Sequence, residues 1–282
     1  MILFLLVILK LVYCSTIILF GDSLTQLGFD ENGWATKLQK SEAGIQFINE
    51  GRGGYTTELS LPLLQPLLNK YSKGPENTLA LTVIFLGTND AFLPSSGLNK
   101  TVPVPRYIAN LKQMIGMVLA KSRLVLITPP PIDEIRDQTR TLANVKLYRD
   151  ACLRVASEYN IPVLDTWTLI MKPNGIYSQL IADEVYYDGV HFTTKGNDII
   201  YSGISKQIRQ VLMEENQKSS SHASSTQLIA TATVESSNTK STITSQNLTP
   251  NNNTSKSNSE LMVQNSCFIK VLMMVFLMIF GI

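Results

Sequence analysis

Residues 16–24 read TIILFGDSL, a short apolar run that ends at a glycine, an aspartate and a serine. Apolar runs rich in β-branched residues and bounded by glycine are typical of buried strands. In an open parallel sheet, ligands bind outside the carboxyl ends of the strands, which is where this turn falls. Ser23 is therefore a candidate nucleophile, although an isolated Gly-Asp-Ser is more typical of a serine that caps a helix.

Four further apolar runs follow this one, and helical patterns separate them. With the first run at 17–20, the predicted strands are residues 45–49, 81–86, 123–128 and 161–165. The predicted helices are Trp34–Ser41, Pro105–Ala120, Leu142–Tyr159 and a last one from about Thr194 to Glu215. Leu147, Ala151 and Val155 are expected on one face of the third helix. Alternating strands and helices predict βαβ units, a five-stranded parallel sheet and one three-layer α/β domain.

A histidine and an aspartate near the end of this domain provide a candidate catalytic base. A serine nucleophile needs a neighbouring base, and the base needs a group that orients it. Asp188 and His191 are three residues apart, so one turn can bring them together. The chain has two histidines, and His222 lies in a polar tail, so His191 is the imidazole of the domain. The alternative is a structural histidine at a helix N-terminus.

Two loops that follow the second and third strands contain residues able to stabilise an oxyanion. Gly54 lies in NEGRGGYT (49–56), and Asn89 lies in GTND (87–90). A glycine N–H permits close approach, and an asparagine amide is a second good donor. Taken singly, both are also common turn residues. Together with Ser23 they follow three successive strands at one sheet edge, an order that favours an active site.

These four blocks, GDSLT, the Gly54 loop, GTND and DGVH, resemble the conserved blocks of the SGNH (GDSL) hydrolase family over about residues 16–215. Gly33-Trp34, Asn110-Leu-Lys and Lys195-Gly-Asn197 are similar to its isoamyl acetate-hydrolysing esterase branch. The resemblance implies a flavodoxin-like sheet, Ser23 as nucleophile and His191 as base beside Asp188. It also implies an oxyanion hole made of the Ser23 and Gly54 N–H groups and the Asn89 amide.

The chemistry that follows is hydrolysis of carboxylic esters with small or short acyl groups through an acyl-enzyme, with no metal or organic cofactor. An acyltransferase that uses the same acyl-enzyme is one alternative, and a non-enzymatic cell-surface binding protein is another. The expected partner is a small ester. With a net charge of +2 and no Lys/Arg run, no nucleic-acid partner is expected. The sequence carries no signal of an oligomeric state.

The two ends of the chain differ from the domain over residues 16–217. Residues 1–15 are apolar and favour a cleaved signal peptide; a retained segment, with a cytoplasmic protein, is the alternative. Residues 218–260 are rich in Ser, Thr and Asn and are expected to be a disordered linker. Residues 261–282 are an apolar candidate for membrane attachment, as a GPI signal or a short anchor. We therefore expect a secreted or cell-surface protein.

Two smaller features of the sequence are its glycosylation sequons and its cysteines. Glycosylation sequons begin at Asn99, Asn247, Asn252 and Asn253. The three cysteines are far apart and lack the spacing of a disulfide framework or a zinc site. Cys152 is expected to be a small buried residue on a helix.

Overall fold

The computed structural model describes residues 15–72, 79–171 and 178–214. The predicted signal peptide (1–15), linker (218–260) and apolar terminus (261–282) lie outside these ranges, except for Ser15, where the first strand begins. One compact unit of the chain ends at Val211, and only residues 212–214 of the second are described. Within the described ranges, no helix is both long and apolar enough to cross a membrane.

The core of the fold is a five-stranded parallel sheet with the order β2-β1-β3-β4-β5. Its strands are β1 (Ser15–Gly21), β2 (Ile45–Gly51), β3 (Leu79–Phe85), β4 (Arg123–Ile127) and β5 (Val163–Leu164). The predicted five-stranded parallel sheet is confirmed. Strand β5 has only two residues, and Pro162, which has no N–H to donate, directly precedes it.

Eight α-helices occur in the described part of the chain. They are α1 (Ser23–Gln26), α2 (Trp34–Ser41), α3 (Thr57–Tyr71), α4 (Val104–Leu119), α5 (Leu142–Glu158), α6 (Thr166–Met171), α7 (Gln179–Val185) and α8 (residues 194–214). Two short 3-10 helices, Leu27–Phe29 and Pro94–Ser96, lie in loops. The bounds of α2, α4 and α5, and the start of α8, agree with the sequence-based prediction to within one residue. The other four helices were not predicted.

Helix α3 was missed because it contains Pro62 and Pro66, residues that normally interrupt a helix. Packing overrides that local signal. Ser60, Leu64 and Leu68 recur at helical spacing and are all buried. Thr56 caps the helix, since its hydroxyl oxygen accepts a hydrogen bond from the Leu59 N–H at 3.3 Å.

The predicted inner face of α5 was wrong at one position. Leu147 is 54% exposed, whereas Ala151 and Val155 are buried as expected. The buried face is instead centred on Tyr148 and Cys152, because the Tyr148 hydroxyl donates a hydrogen bond to the Val102 carbonyl at 2.6 Å. Cys152 is confirmed as a buried, unpaired cysteine, and burial raises the pKa of its thiol to about 12.

The strand order determines where a site can form. From β1 the chain moves to β2 on one side, and the later strands add on the other side, beginning with β3. Right-handed crossovers therefore put α2 on one face and α3, α4 and α5 on the other. The loops after β1 and β3 leave in opposite directions and open a crevice between them, as in other sheets of order 2-1-3-4-5. Ser23 follows β1 and Asn89 follows β3 at this crevice.

Candidate active site

Asp22, and not Ser23, caps the short helix that follows β1. Its Oδ1 accepts a hydrogen bond from the Leu24 N–H at 2.9 Å. The Ser23 hydroxyl is therefore not used by the cap, and its Oγ lies 2.9 Å from Nε2 of His191. The interpretation of Ser23 as a helix-capping residue is wrong, because its neighbour performs that function.

Asp22 is also an unusual carboxyl group, since it is completely buried beneath the serine. Burial raises the pKa of Asp22 to about 7, although the Leu24 N–H and the charge of Arg140 act in the opposite direction. The second side-chain oxygen, Oδ2, has no hydrogen-bond partner. Protonation relieves the cost of burying this carboxylate.

His191 and Asp188 meet within one turn after α7. Oδ1 of Asp188 accepts hydrogen bonds from the Val190 N–H at 3.0 Å and the His191 N–H at 2.8 Å. Its Oδ2 lies 2.6 Å from Nδ1 of His191. Gly189 has a φ of +98°, a conformation that side chains other than hydrogen rarely permit. This turn fixes the aspartate against the imidazole, as the sequence spacing suggested.

The contacts of Asp188 determine which nitrogen of His191 carries the proton. Burial opposes ionisation of Asp188, but hydrogen bonds from the His191 ring, the His191 N–H and the Val190 N–H outweigh it and hold the pKa of the carboxyl below its ordinary value. An ionised carboxylate can only accept a hydrogen bond, so Nδ1 is protonated. In the neutral ring, Nε2 then presents a lone pair to the hydroxyl of Ser23.

Contacts of Trp34 and Asn197 hold together the two chain segments that carry Ser23 and His191. The Trp34 indole N–H donates to the Leu24 carbonyl at 2.9 Å. The backbone N–H of Trp34 donates to Oδ1 of Asn197 at 3.0 Å, where α2 has no capping side chain of its own. Asn197 is in the first turn of α8, shortly after His191. The Gly-Trp and Lys-Gly-Asn segments thus connect the two halves of the site.

The loop after β2 is attached to the serine loop and brings Gly54 to the sheet edge. The Gly53 N–H donates to Oε1 of Gln26 at 2.8 Å, and the Arg52 N–H donates to the Gly21 carbonyl at 2.9 Å. Gly54 has a φ of +72°, in the left-handed region that favours glycine. Its carbonyl accepts a hydrogen bond from Lys100 at 3.3 Å.

Asn89 is almost completely buried, with 4% of its surface exposed, and both ends of its amide are engaged. Its Nδ2 donates to the carbonyl of Tyr55 at 2.9 Å. Its Oδ1 accepts from Nη2 of Arg140 at 2.7 Å. An amide nitrogen has two N–H groups, so one remains for a further acceptor. The hydrogen bond to Tyr55 also ties Asn89 to the residue after Gly54.

A cavity of about 430 Å³ opens beside His191. Its walls combine apolar, aromatic and acidic side chains, among them Leu24, Leu27, Tyr187, Phe192, Asp30 and Glu31. The Tyr187 ring stacks on the imidazole of His191 with 5.9 Å between centroids. In the ranges that the structure describes, no group of three or more His, Cys, Asp or Glu residues could hold a metal ion.

Arg140, Tyr187 and Gln26 contact the site but were not identified from the sequence. Arg140 lies in a loop 51 residues from the asparagine that it contacts, and no local pattern connects the two. Tyr187 is adjacent to Asp188 and could have been found as an aromatic next to a catalytic motif. Gln26 lies three residues after Ser23 and is recognisable only once the loop after β2 is placed beside it.

The chain is similar to known proteins in both sequence and fold. Residues 19–199 match the GDSL-like Lipase/Acylhydrolase family. The isoamyl acetate-hydrolyzing esterase 1 homolog of Rattus norvegicus is 34% identical over 200 residues, which is 66% of this chain and 78% of that protein. A GDSL esterase/lipase of Arabidopsis thaliana is 30% identical over 213 residues, 69% of this chain and 86% of that protein. The lipase/acylhydrolase from Enterococcus faecalis has a similar solved structure, with a TM-score of 0.55 and 27% identity over 70% of this chain and 96% of that one.

The buried carboxyl of Asp22 gives a testable pH dependence of stability. Its pKa is raised from 3.8 to about 7 in the folded protein, so the favourable protonated form contributes fully at low pH and is lost as pH rises towards 7. Asp22→Asn keeps an oxygen for the Leu24 N–H and cannot ionise. Between pH of about 4 and 7, the free energy of unfolding of the wild type should therefore fall relative to that of the variant, as measured by urea denaturation. If the difference in free energy of unfolding between the wild type and the variant stayed constant across this range, the raised pKa of Asp22 would be contradicted.

Proposed function

The chain belongs to the GDSL-like lipase/acylhydrolase family and is an esterase, and on that premise we propose that it hydrolyses small carboxylic esters through an acyl-enzyme on Ser23. The observation that carries the proposal is the continuous series of hydrogen bonds from Asp188 through His191 to Ser23, at 2.6 and 2.9 Å. A nucleophile, a base and a group that orients the base are the three parts that this chemistry requires.

In the first half of the reaction, Ser23 Oγ attacks the carbonyl carbon of the ester while its proton moves to Nε2 of His191. Asp188 remains ionised and stabilises the imidazolium that forms. The carbonyl electrons move to oxygen, and we assign the stabilisation of this oxyanion to the N–H groups of Ser23 and Gly54 and the amide of Asn89. The intermediate collapses when His191 gives its proton to the departing alcohol, and the acyl group stays on Ser23.

Water completes the cycle by the same route in reverse. His191 removes a proton from the water as the water attacks the acyl carbon, and the second oxyanion occupies the same donors. Collapse returns the proton to Ser23 Oγ and releases the carboxylic acid. The free enzyme is restored with no net change in its protonation state.

We assign the cavity beside His191 to the alcohol part of the ester, because His191 is the group that protonates the leaving alcohol and also lines the cavity. A volume of about 430 Å³ is suited to a small organic group. The name of the rat relative refers to isoamyl acetate, an ester that combines a short acyl group with a branched five-carbon alcohol. These observations support esters of short-chain acids with small alcohols as the substrate class.

The nucleophile is tested by covalent labelling with a fluorophosphonate probe. The purified wild-type protein should be labelled on Ser23, and Ser23→Ala should lose both labelling and esterase activity because no other oxygen faces Nε2 of His191 in the described structure. Ser202→Ala is the matched control, since its hydroxyl bonds to the Ile199 carbonyl on the exposed side of α8. Labelling that persists in Ser23→Ala would show that the nucleophile is elsewhere.

The cavity assignment is tested with acetate esters of increasingly large alcohols. Leu27→Trp narrows the cavity, so kcat/KM for isoamyl acetate should fall by about tenfold or more, while that for methyl acetate changes little. Leu147→Trp is the control, because Leu147 is 54% exposed on α5 and does not line the cavity. An equal loss for all alcohols in Leu27→Trp would show that the alcohol binds in another place.

A further inference from the structure

Arg140 is a buried cation in the loop before α5, with only 5% of its side chain exposed. Its Nε donates to the Thr88 carbonyl at 2.7 Å and its Nη2 to Oδ1 of Asn89 at 2.7 Å. Its Nη1 donates to Oδ2 of Asp137 at 2.6 Å and to Oγ1 of Thr139 at 3.0 Å. The guanidinium also lies over the ring of Phe92, at 3.7 Å from its centroid. All three nitrogens of the guanidinium thus donate hydrogen bonds, and its plane lies against an aromatic ring.

We propose that Arg140 is a positioning residue that fixes the orientation of the Asn89 amide for oxyanion stabilisation. A guanidinium carries donors and no acceptor, so the amide atom that faces it must be the oxygen. The nitrogen is therefore held on the opposite side, where it donates to Tyr55 and keeps its second N–H free for the site. A rotated amide would place two donors against each other and leave the oxyanion facing an oxygen.

The same hydrogen bonds also fix the distance between the two loops that supply oxyanion donors. Arg140, Asn89 and the Tyr55 carbonyl form a continuous series that connects the loops after β4, β3 and β2. Tyr55 is the neighbour of Gly54, whose N–H is the other donor in question. Because a preorganised donor works only at the correct separation, this connection affects both donors together.

The positive charge of Arg140 also makes the Asn89 amide a better hydrogen-bond donor. A positive group against the amide oxygen polarises the amide, and it strengthens the N–H that remains in a buried environment. The carboxylate of Asp137, with 10% exposure, compensates the buried charge. Lysine could not replace this arrangement, because an ammonium group cannot reach Thr88, Asn89 and Asp137 in the fixed geometry of the guanidinium fork.

The inference rests on the proposed oxyanion role of Asn89, and a double-mutant cycle with Arg140→Met and Asn89→Ala tests it. Asn89→Ala should lower kcat by about 10²–10³-fold with little change in KM. Arg140→Met should lower kcat by about 10–100-fold, again with KM nearly unchanged, because the donor remains but is no longer fixed. In the Asn89→Ala background, Arg140→Met should cause no further loss of kcat.

Two further variants separate positioning from folding. Arg140→Lys keeps the charge with less change in volume, and its smaller loss of kcat should likewise vanish in the Asn89→Ala background. Arg149→Met removes a different arginine, which is partly buried and pairs with Asp165 away from the site, and should lower the melting temperature with kcat changed less than about twofold.

Different results would overturn the positioning role of Arg140 and the oxyanion role of Asn89. Losses in kcat that multiply in the double variant, or a normal kcat in Arg140→Met or Arg140→Lys, would overturn the positioning role of Arg140. A normal kcat in Asn89→Ala would instead overturn the oxyanion assignment within the proposed function. Non-additive losses with unchanged KM are the result that the structure predicts.

Discussion

The hydrogen bond between Ser23 and His191 is the constraint on which the site depends, because it joins residues 168 positions apart at 2.9 Å. It can form only if the loop after β1 and the segment before α8 reach the same end of the sheet. The reversal of strand order beside β1 opens the crevice there. Trp34 then clamps the two segments, with one N–H on Leu24 and the other on Asn197.

Buried carboxyl groups behind the site hold its loops in place through hydrogen bonds. Asp22 caps the helix of Ser23, and Asp90, next to Asn89, accepts hydrogen bonds from the N–H and hydroxyl of Thr57 at the start of α3. Burial raises the pKa of Asp90 to about 7 despite those bonds, as it does for Asp22. Burying these two carboxyl groups costs folding free energy, and such a cost is expected where a functional site needs its loops held in place.

The sequence was informative where local pattern and topology coincide. Short apolar runs specified the five parallel strands, and strand ends determined where Ser23, Gly54 and Asn89 would lie. The spacing of Asp188 and His191 indicated their turn. The proline-containing α3 could not be predicted, because its stability comes from a buried face and not from local preference. Arg140 could not be identified from the sequence for a related reason. Its proposed role depends on a contact between distant loops that only the folded chain creates.

The central claim is that catalysis proceeds through an acyl group carried by Ser23. Intact-protein mass spectrometry of the wild-type protein, quenched with acid during turnover of nitrophenyl acetate, tests it most directly. The account predicts a mass increase of one acetyl group that peptide mapping places on Ser23 and that is absent from Ser23→Ala. An acetyl group on another residue that turns over at the rate of catalysis would contradict it.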